Sequence, residues 1–180
     1  MKQTQSTPAA AAVGQSEFTQ NYANERVAHL TRLCARGFNR SLTRRLAEHE
    51  ISFGQWVFLR ILWGEEGLTQ RDLAERANLT EPTVHTALAR MQQQGLIERR
   101  TQEGNRRKQH VYLTAHGKGL RAVLEPLAIE ANDVALQGLD AAQREALRHV
   151  LIRVLGNLEA DEAAALARGQ RVPPTRGGLA

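Results

Sequence analysis

The sequence predicts a mainly helical protein with one small β-hairpin, an α+β fold. Apolar residues recur every three or four positions along most of the chain, which is typical of amphipathic helices. Between residues 96 and 114 the period changes to two, and Gly104-Asn105 provides a turn signal in the middle. Two short helical segments joined by a tight turn come just before this hairpin. The predicted order is α-α-α-α-β-β-α-α, and its centre has the outline of a winged helix-turn-helix.

The composition excludes several classes of protein. The chain has 180 residues, of which 42% are hydrophobic, and this is enough for one ordinary domain with its own core. Its single cysteine excludes an intramolecular disulfide framework and a CxxC metal or redox site. No apolar run approaches the roughly 18 residues that cross a bilayer, and the N-terminus lacks the apolar core of a signal peptide. We therefore expect a cytoplasmic protein with no membrane partner.

The charge balance permits nucleic-acid binding without establishing it. Lys and Arg number 24 against 19 Asp and Glu, which gives a net charge of +5. No Ser/His/Asp set, phosphate loop or metal-ligand spacing stands out, and the six histidines show neither HxxxH nor HExxH. We expect neither an enzyme nor a bound metal or cofactor.

The first predicted helix covers residues 20–48 and follows a polar arm at 1–17, which is too poor in apolar residues to fold. One face of this helix is apolar at four-residue spacing: Leu30, Cys34, Phe38 and Leu42. A second row at the same spacing is basic: Arg32, Arg36, Arg40 and Arg44. This row is either a solvated or salt-bridged face, or a site for an anion such as flanking DNA or an acidic effector. Cys34 is expected to be structural, with a reactive thiolate as the alternative.

Three further helices have clear start signals. Their N-cap residues are Ser52, Thr69 and Thr80. Asp72 stands three residues after Thr69 as a variant of the capping box, and Pro82 lies in a first turn, where its missing N–H costs nothing. The helices are expected to end at Gly64, near Ala77 and at Gly95. The strands that follow are predicted at Leu96–Thr101 and Gln109–Thr114.

The helix after Thr80 places an apolar stripe opposite a polar face. The stripe consists of Val84, Leu88 and Met91. Hydrogen-bonding side chains suited to base edges and phosphates are Thr80, Thr83, His85, Thr86 and Arg90. An ordinary amphipathic helix with a solvated polar face shows the same period, so the period alone does not decide between the two interpretations.

The hairpin shifts the balance towards nucleic acid. Residues 99–108, RRTQEGNRRK, hold five basic residues and one acid, with Arg106, Arg107 and Lys108 beside the predicted tip. Concentrated charge on an exposed hairpin is self-repulsive unless an anion binds it. An arginine at a thin tip can enter the minor groove, where the potential is most negative. The alternative is a solvated turn.

The C-terminal part is predicted to contain two helices. Thr114 caps the first, at roughly 115–137, and Pro126 is expected to kink it. Asp140 and Gln143 form a capping box for the second. This last helix carries an uninterrupted apolar stripe: Leu147, Val150, Leu151, Val154, Leu155 and Leu158. Such a stripe needs a covering partner.

Several short motifs in register point to one family. They are Gln55-Trp56 with Leu59, GLTQRDLAER at 67–76, PTV at 82–84, GLIERR at 95–100, the tip of the hairpin, or wing, with Asn105-Arg106-Arg107, and LTAHG at 113–117. Together they resemble the MarR family of winged-helix transcription regulators. The resemblance implies a homodimer that binds double-stranded DNA at a pseudo-palindrome, usually as a repressor relieved by a small aromatic carboxylate or phenol-like effector.

The resemblance also assigns regions and residues. It implies an N-terminal dimerisation helix at 18–50, the winged helix-turn-helix at 51–116 and C-terminal dimerisation helices at 117–159. The composition adds the arm at 1–17 and, because prolines and glycines near its end forbid a helix, a tail at 160–180. The 81–90 surface would enter the major groove and Arg106 and Arg107 the minor groove, with Asn105 where the family usually has Asp. Candidate effector contacts are Arg44, Phe53, Trp56 and Phe58. The alternatives are a protein-binding scaffold and a thiol-based redox regulator that uses Cys34.

Overall fold

A computed structural model of the chain describes the backbone of residues 19–102 and 105–172 and the side chains of 19–101 and 109–172. A helical turn at residues 19–22 comes first. The elements that follow are α1 Val27–Ala47, α2 Phe53–Gly64, β1 Leu68–Thr69, α3 Gln70–Ala77, α4 Glu81–Gln93, β2 Ile97–Gln102, β3 Asn105–Leu113, α5 Ala115–Gly119, α6 Arg121–Ala135 and α7 Ala141–Ala167. The predicted arm at 1–17 lies outside the described residues. Along the described chain, no helix has the combined length and apolarity that a membrane span requires.

The chain divides into two compact units after Arg40. The described part of the first unit is the helical turn at 19–22 and the beginning of α1. The prediction of one helix over 20–48 was wrong at its start, because α1 begins only at Val27. Between these two helical pieces the backbone bonds span three residues, as in the bond from the Glu25 N–H to the Tyr22 carbonyl, and such turns interrupt an α-helix.

The second unit contains a three-stranded antiparallel sheet in the order β1-β3-β2. The predicted hairpin is confirmed, although β3 begins four residues earlier than expected, and Gly104 of the predicted turn lies outside the described residues. Its register pairs Ile97 with Leu113. The edge strand β1, which pairs Leu68 with Val111, was not predicted, because two residues are too few to show alternation.

The core of this unit lies between α2, α3, α4, the sheet and α6. Its largest fully buried side chains include Phe58, Leu59, Leu62, Leu73, Leu88, Met91, Ile97 and Leu124. The predicted capping box of Thr69 is confirmed, since its N–H donates to the Asp72 carboxylate at 2.8 Å. Thr80 occupies the predicted N-cap of α4, but its side chain makes no cap hydrogen bond and instead contacts the Thr83 hydroxyl at 2.9 Å.

Gly117 joins the base of the hairpin to the helices. The Trp63 indole N–H donates to the Gly117 carbonyl at 3.0 Å, and the Thr114 hydroxyl donates to the Gly95 carbonyl at 2.6 Å. A Cβ at Gly117 would lie 2.1 Å from the Leu96 carbonyl oxygen, so only glycine fits here. The LTAHG motif therefore has a packing role at its last residue.

The C-terminal helices differ from the prediction in two places. The predicted helix at 115–137 is interrupted at Leu120, whereas Pro126 lies within α6. Gly117 and Gly119 weaken the helix next to this break. The predicted tail at 160–180 was also wrong at its start, because α7 continues to Ala167. Residues 160–167, ADEAAALA, are rich in the strongest helix former, and Gly169 follows with φ +73°.

Candidate nucleic-acid interface

A tight turn fixes α3 against α4. Asn78 ends α3 in the left-handed conformation, which asparagine tolerates better than most residues, and its N–H donates to the Ala74 carbonyl. The Ala74 side chain is buried, and its small size leaves room for the neighbouring helix. The result is a helix-turn-helix whose second helix is α4.

The polar face of α4 is open to solvent. Val84, Leu88 and Met91 are completely buried, which anchors the opposite side of the helix in the core. All five candidate DNA-contacting residues of this element are exposed: Thr80, Thr83, His85, Thr86 and Arg90. Their positions leave them accessible to a groove of a nucleic acid.

A glutamine that the sequence analysis did not single out connects the two helices. Gln70, the first residue of α3, has its side-chain oxygen 3.2 Å from Nδ1 of His85 and donates to the Glu81 carbonyl at 3.4 Å. The first turn of α4 is held further by the Thr86 hydroxyl, which donates to the Pro82 carbonyl at 3.1 Å. The periodicity of α3 could not show this role, because Gln70 reads as an ordinary exposed polar residue.

Arg99 is a second residue that the sequence analysis missed. It lines an open cavity of about 600 Å³ between the start of α3, α4 and the sheet, with Thr69, Gln70, Arg71, Asp72, Leu88, Gln109 and Val111. Arg99 is half-buried, and its Nε and Nη2 atoms have no hydrogen-bond partner among the described residues. A buried guanidinium without acceptors is unfavourable, and an anionic oxygen would satisfy these two atoms if the Arg99 side chain shifted into the cavity. The sequence contained a signal for the partial burial of Arg99, because residues two apart on a strand lie on the same face and Ile97 is an apolar core residue.

The Asp72 carboxylate at the same cavity is already engaged. Hydrogen bonds from the Thr69 hydroxyl and backbone hold its pKa below the usual value of an aspartate. It therefore stays ionised near neutral pH and caps α3.

The wing has a described base and an undescribed tip. At the base Arg100 lies 4.7 Å from the centroid of the Tyr112 ring and forms an ion pair with Glu98. The backbone of Asn105 to Lys108 belongs to β3, whereas the side chains of Asn105, Arg106, Arg107 and Lys108 lie outside the described part of the structure. Their predicted contacts with DNA stay predictions.

The candidate effector residues do not share one solvent-accessible surface. Trp56 is 4% exposed and packs edge-to-face on Trp63, and Phe58 is fully buried. Phe53 is half-buried and Arg44 is exposed. A ligand could touch Trp56 or Phe58 only if the core opened, since both fill space between helices. The effector prediction stays a prediction.

Arg45 is the buried arginine of α1. It donates to the Glu130 carboxylate on α6 at 2.8 Å, while its Nε has no partner. The four-residue spacing of the basic row had instead directed attention to Arg44. Cys34, expected on an apolar face, is exposed. Within the described ranges, no three His, Cys, Asp or Glu side chains are grouped to hold a metal ion.

Comparisons with known proteins agree with this geometry. A sequence model of the MarR family matches residues 51–108. The HTH-type transcriptional regulator TtmR of Methylorubrum extorquens strain PA1 is 29% identical over 126 residues, which are 70% of this chain and 64% of TtmR. The organic hydroperoxide resistance transcriptional regulator of Bacillus subtilis strain 168 is 31% identical over 110 residues, which are 58% of this chain and 72% of that protein.

A solved structure has the same fold. A MarR-family transcriptional regulator from Listeria monocytogenes, determined in complex with a 26mer DNA, superposes with a TM-score of 0.68 at 22% identity, covering 83% of this chain and 99% of that one. The winged helix-turn-helix fold and the sequence relatives together define the class, a DNA-binding transcription regulator. The chain belongs to the MarR family.

Proposed function

We propose that the chain is a homodimeric repressor that binds a pseudo-palindromic operator and releases it when a small aromatic carboxylate or phenol-like ligand binds. The observation that carries the proposal is the open polar face of α4 beside a basic hairpin. Thr83, His85, Thr86 and Arg90 present donors and acceptors of the kinds that read base edges. Arg106 and Arg107 are assigned to the minor groove, and Asn105 and Lys108 to contacts beside them.

The unpaired guanidinium atoms of Arg99 support an additional contact. The cavity next to them opens at the start of α3. A phosphate oxygen of the DNA backbone fits this chemistry. Such a contact would position α4 on the duplex without contributing sequence specificity.

The exposed apolar face of α7 supports the homodimer. Its apolar side chains between Leu147 and Leu158 are 39% to 60% exposed in the single chain. Contiguous exposed apolar surface of this kind marks an interface. A two-fold axis would place two α4 helices about 34 Å apart, one helical turn of DNA, and this spacing implies a pseudo-palindrome.

Ligand release requires a ligand that prefers a dimer whose two α4 helices no longer match adjacent grooves. The redox alternative has one supporting observation, the exposure of Cys34, together with the name of the Bacillus subtilis relative. The scaffold alternative leaves the basic wing without a role.

The test begins with the selection of bound DNA fragments from the source genome at about physiological salt, because low salt strengthens non-specific electrostatic binding. Affinity for the selected site is then compared between the wild type and the double variant Arg106→Ala, Arg107→Ala. We expect the variant to bind about tenfold to a hundredfold more weakly and to show a shallower salt dependence, because each lost phosphate contact lowers the slope.

The matched control replaces Arg60 and Arg168, two exposed arginines outside α4 and the wing, with alanine. It removes the same charge and should keep nearly full affinity. If both double variants lose affinity equally, charge alone drives binding and the assigned wing contacts are wrong. Enrichment of no defined sequence would contradict the repressor and favour the scaffold.

A further inference from the structure

The apolar face of α7 continues into an acidic one. Leu151, Leu155 and Leu158 recur at the spacing that places residues on one face of a helix. Three and four residues after Leu158, the same face carries Asp161 and Glu162, both exposed within α7. A partner that covers the apolar part of this face therefore also meets two carboxylates about one helical turn further on.

The two carboxylates form no ion pair with any described residue of the same chain. Among the described residues, the ion pairs of α7 involve Glu145, Arg144, Arg148 and His149, and none includes Asp161 or Glu162. Covering them with an apolar surface would bury charge without compensation, which is costly. A surface that covers α7 as far as these carboxylates therefore needs cations next to them.

The first unit presents the complementary arrangement. Arg32, Arg36 and Arg40 lie on successive turns of α1 and are exposed. In the described part of the chain none of the three forms an ion pair. Arg40 lines an open cavity with Leu30 and Leu33, so the basic row borders apolar side chains. An apolar patch beside unpaired cations matches an apolar stripe followed by unpaired carboxylates.

We infer that Asp161 and Glu162 of one copy form ion pairs with Arg36 and Arg40 of a second copy. Two-fold symmetry repeats the contact, so that each dimer contains two equivalent clusters, each between the C-terminal helix of one chain and the N-terminal helix of the other. The inference rests on the proposed homodimer and adds the charges that set its register and salt dependence. Complementary charge fixes the orientation of partners and disfavours wrong pairings.

The experiment is a charge swap in the full-length chain. One double variant replaces Arg36 and Arg40 with Glu, so both clusters of its homodimer contain only carboxylates. The other replaces Asp161 and Glu162 with Arg, so both clusters of its homodimer contain only cations. In the heterodimer of the two variants, both clusters again join opposite charges: one cluster has the wild-type residues, and in the other the positions of the charges are exchanged.

Self-association is measured by sedimentation equilibrium for each protein alone and for the equimolar mixture. We expect the dissociation constant of each variant homodimer to rise about tenfold or more, and the mixture to form a heterodimer with restored affinity. Raising the salt from about 0.1 M to about 1 M shortens the screening length from about 10 Å to about 3 Å. This should weaken the wild-type dimer and strengthen both variant homodimers, because attraction is screened in one case and repulsion in the other.

A control with the same charge change replaces Arg60 and Arg71, exposed on α2 and α3, with Glu and should associate like the wild type. Variants that dimerise as tightly as the wild type, or a mixture without a preferred heterodimer, overturn the ion pairs while leaving the homodimer standing. If the variant with Arg36 and Arg40 replaced by Glu dimerises normally but loses operator affinity, the basic row of α1 binds DNA. This result also overturns the proposed ion pairs. A monomeric wild type overturns the homodimer itself.

Discussion

The winged-helix core and helix α7 have similar apolar patterns but differ in how much of the apolar surface is buried. In the core, Phe58, Leu59 and Leu88 have no exposed surface. In α7, Leu155 and Leu158 remain 60% and 57% exposed, although their spacing is just as regular. The comparison teaches that periodicity identifies an apolar face but does not identify the chain that covers it. The core is completed within one chain, whereas the stripe of α7 calls for another surface.

The largest expected effect contrasts one side chain from each region. Phe58→Ala removes a fully buried ring and should lower the free energy of unfolding by about 3–5 kcal/mol at every protein concentration. Leu155→Ala removes a side chain that is exposed in the single chain. It should lower stability only where the wild type is dimeric, because its cost arises at the interface. Urea denaturation at a series of protein concentrations measures both.

The proposed difference between the core and α7 is contradicted if Leu155→Ala destabilises the chain equally at all protein concentrations. That outcome would mean that α7 packs within its own chain in solution. Leu147→Ala, on the same stripe, serves as a second variant with the same expected dependence.

An intermediate effect is expected where the hairpin joins the helices. Gly117→Ala places a Cβ against the Leu96 carbonyl oxygen and should cost about 1–3 kcal/mol, because the backbone there must shift. Gly119→Ala is the matched control, since nothing lies within 4 Å of its Cβ position. The control should stabilise the chain by about 0.5–1 kcal/mol through helix propensity. Thermal unfolding of the two variants should therefore shift in opposite directions, and equal shifts would contradict the close contact.

The smallest effect concerns the cap of α3. Asp72→Asn should cost about 1 kcal/mol at pH 7, because the charge-assisted hydrogen bonds with Thr69 are weakened. The pKa of Asp72 is lower in the folded chain than its unfolded value of 3.8, chiefly through the Thr69 hydroxyl. Its contribution is therefore complete above pH 3.8 and disappears as the pH falls through the folded pKa.

Denaturant unfolding at neutral and acidic pH checks this dependence. The stability difference between the wild type and Asp72→Asn should shrink on acidification. Glu48→Gln alters an exposed carboxylate outside the described ion pairs and should show no such difference. A difference for Asp72→Asn that is independent of pH would show that the cap does not depend on the ionised carboxylate.

The site was predictable where one element determines it. The polar face of α4 follows from the buried period of Val84, Leu88 and Met91, and these residues are buried as expected. Gln70 and Arg99 were missed because their roles arise between elements: Gln70 reaches from α3 to His85, and Arg99 faces a cavity that α3, α4 and the sheet enclose together. Single-segment patterns contain no information about such distances.

The order of the main helices and the hairpin, the capping boxes and the apolar faces follow from the sequence, because these depend on contacts within a few residues. The sequence also determined the MarR-family membership, through short motifs in register. Four other features are visible only in the three-dimensional structure: β1 pairs with β3, only glycine fits at position 117, Trp56 and Phe58 fill the core, and the stripe of α7 is exposed. These features depend on residues distant in the chain meeting in space, and local periodicity cannot encode such meetings.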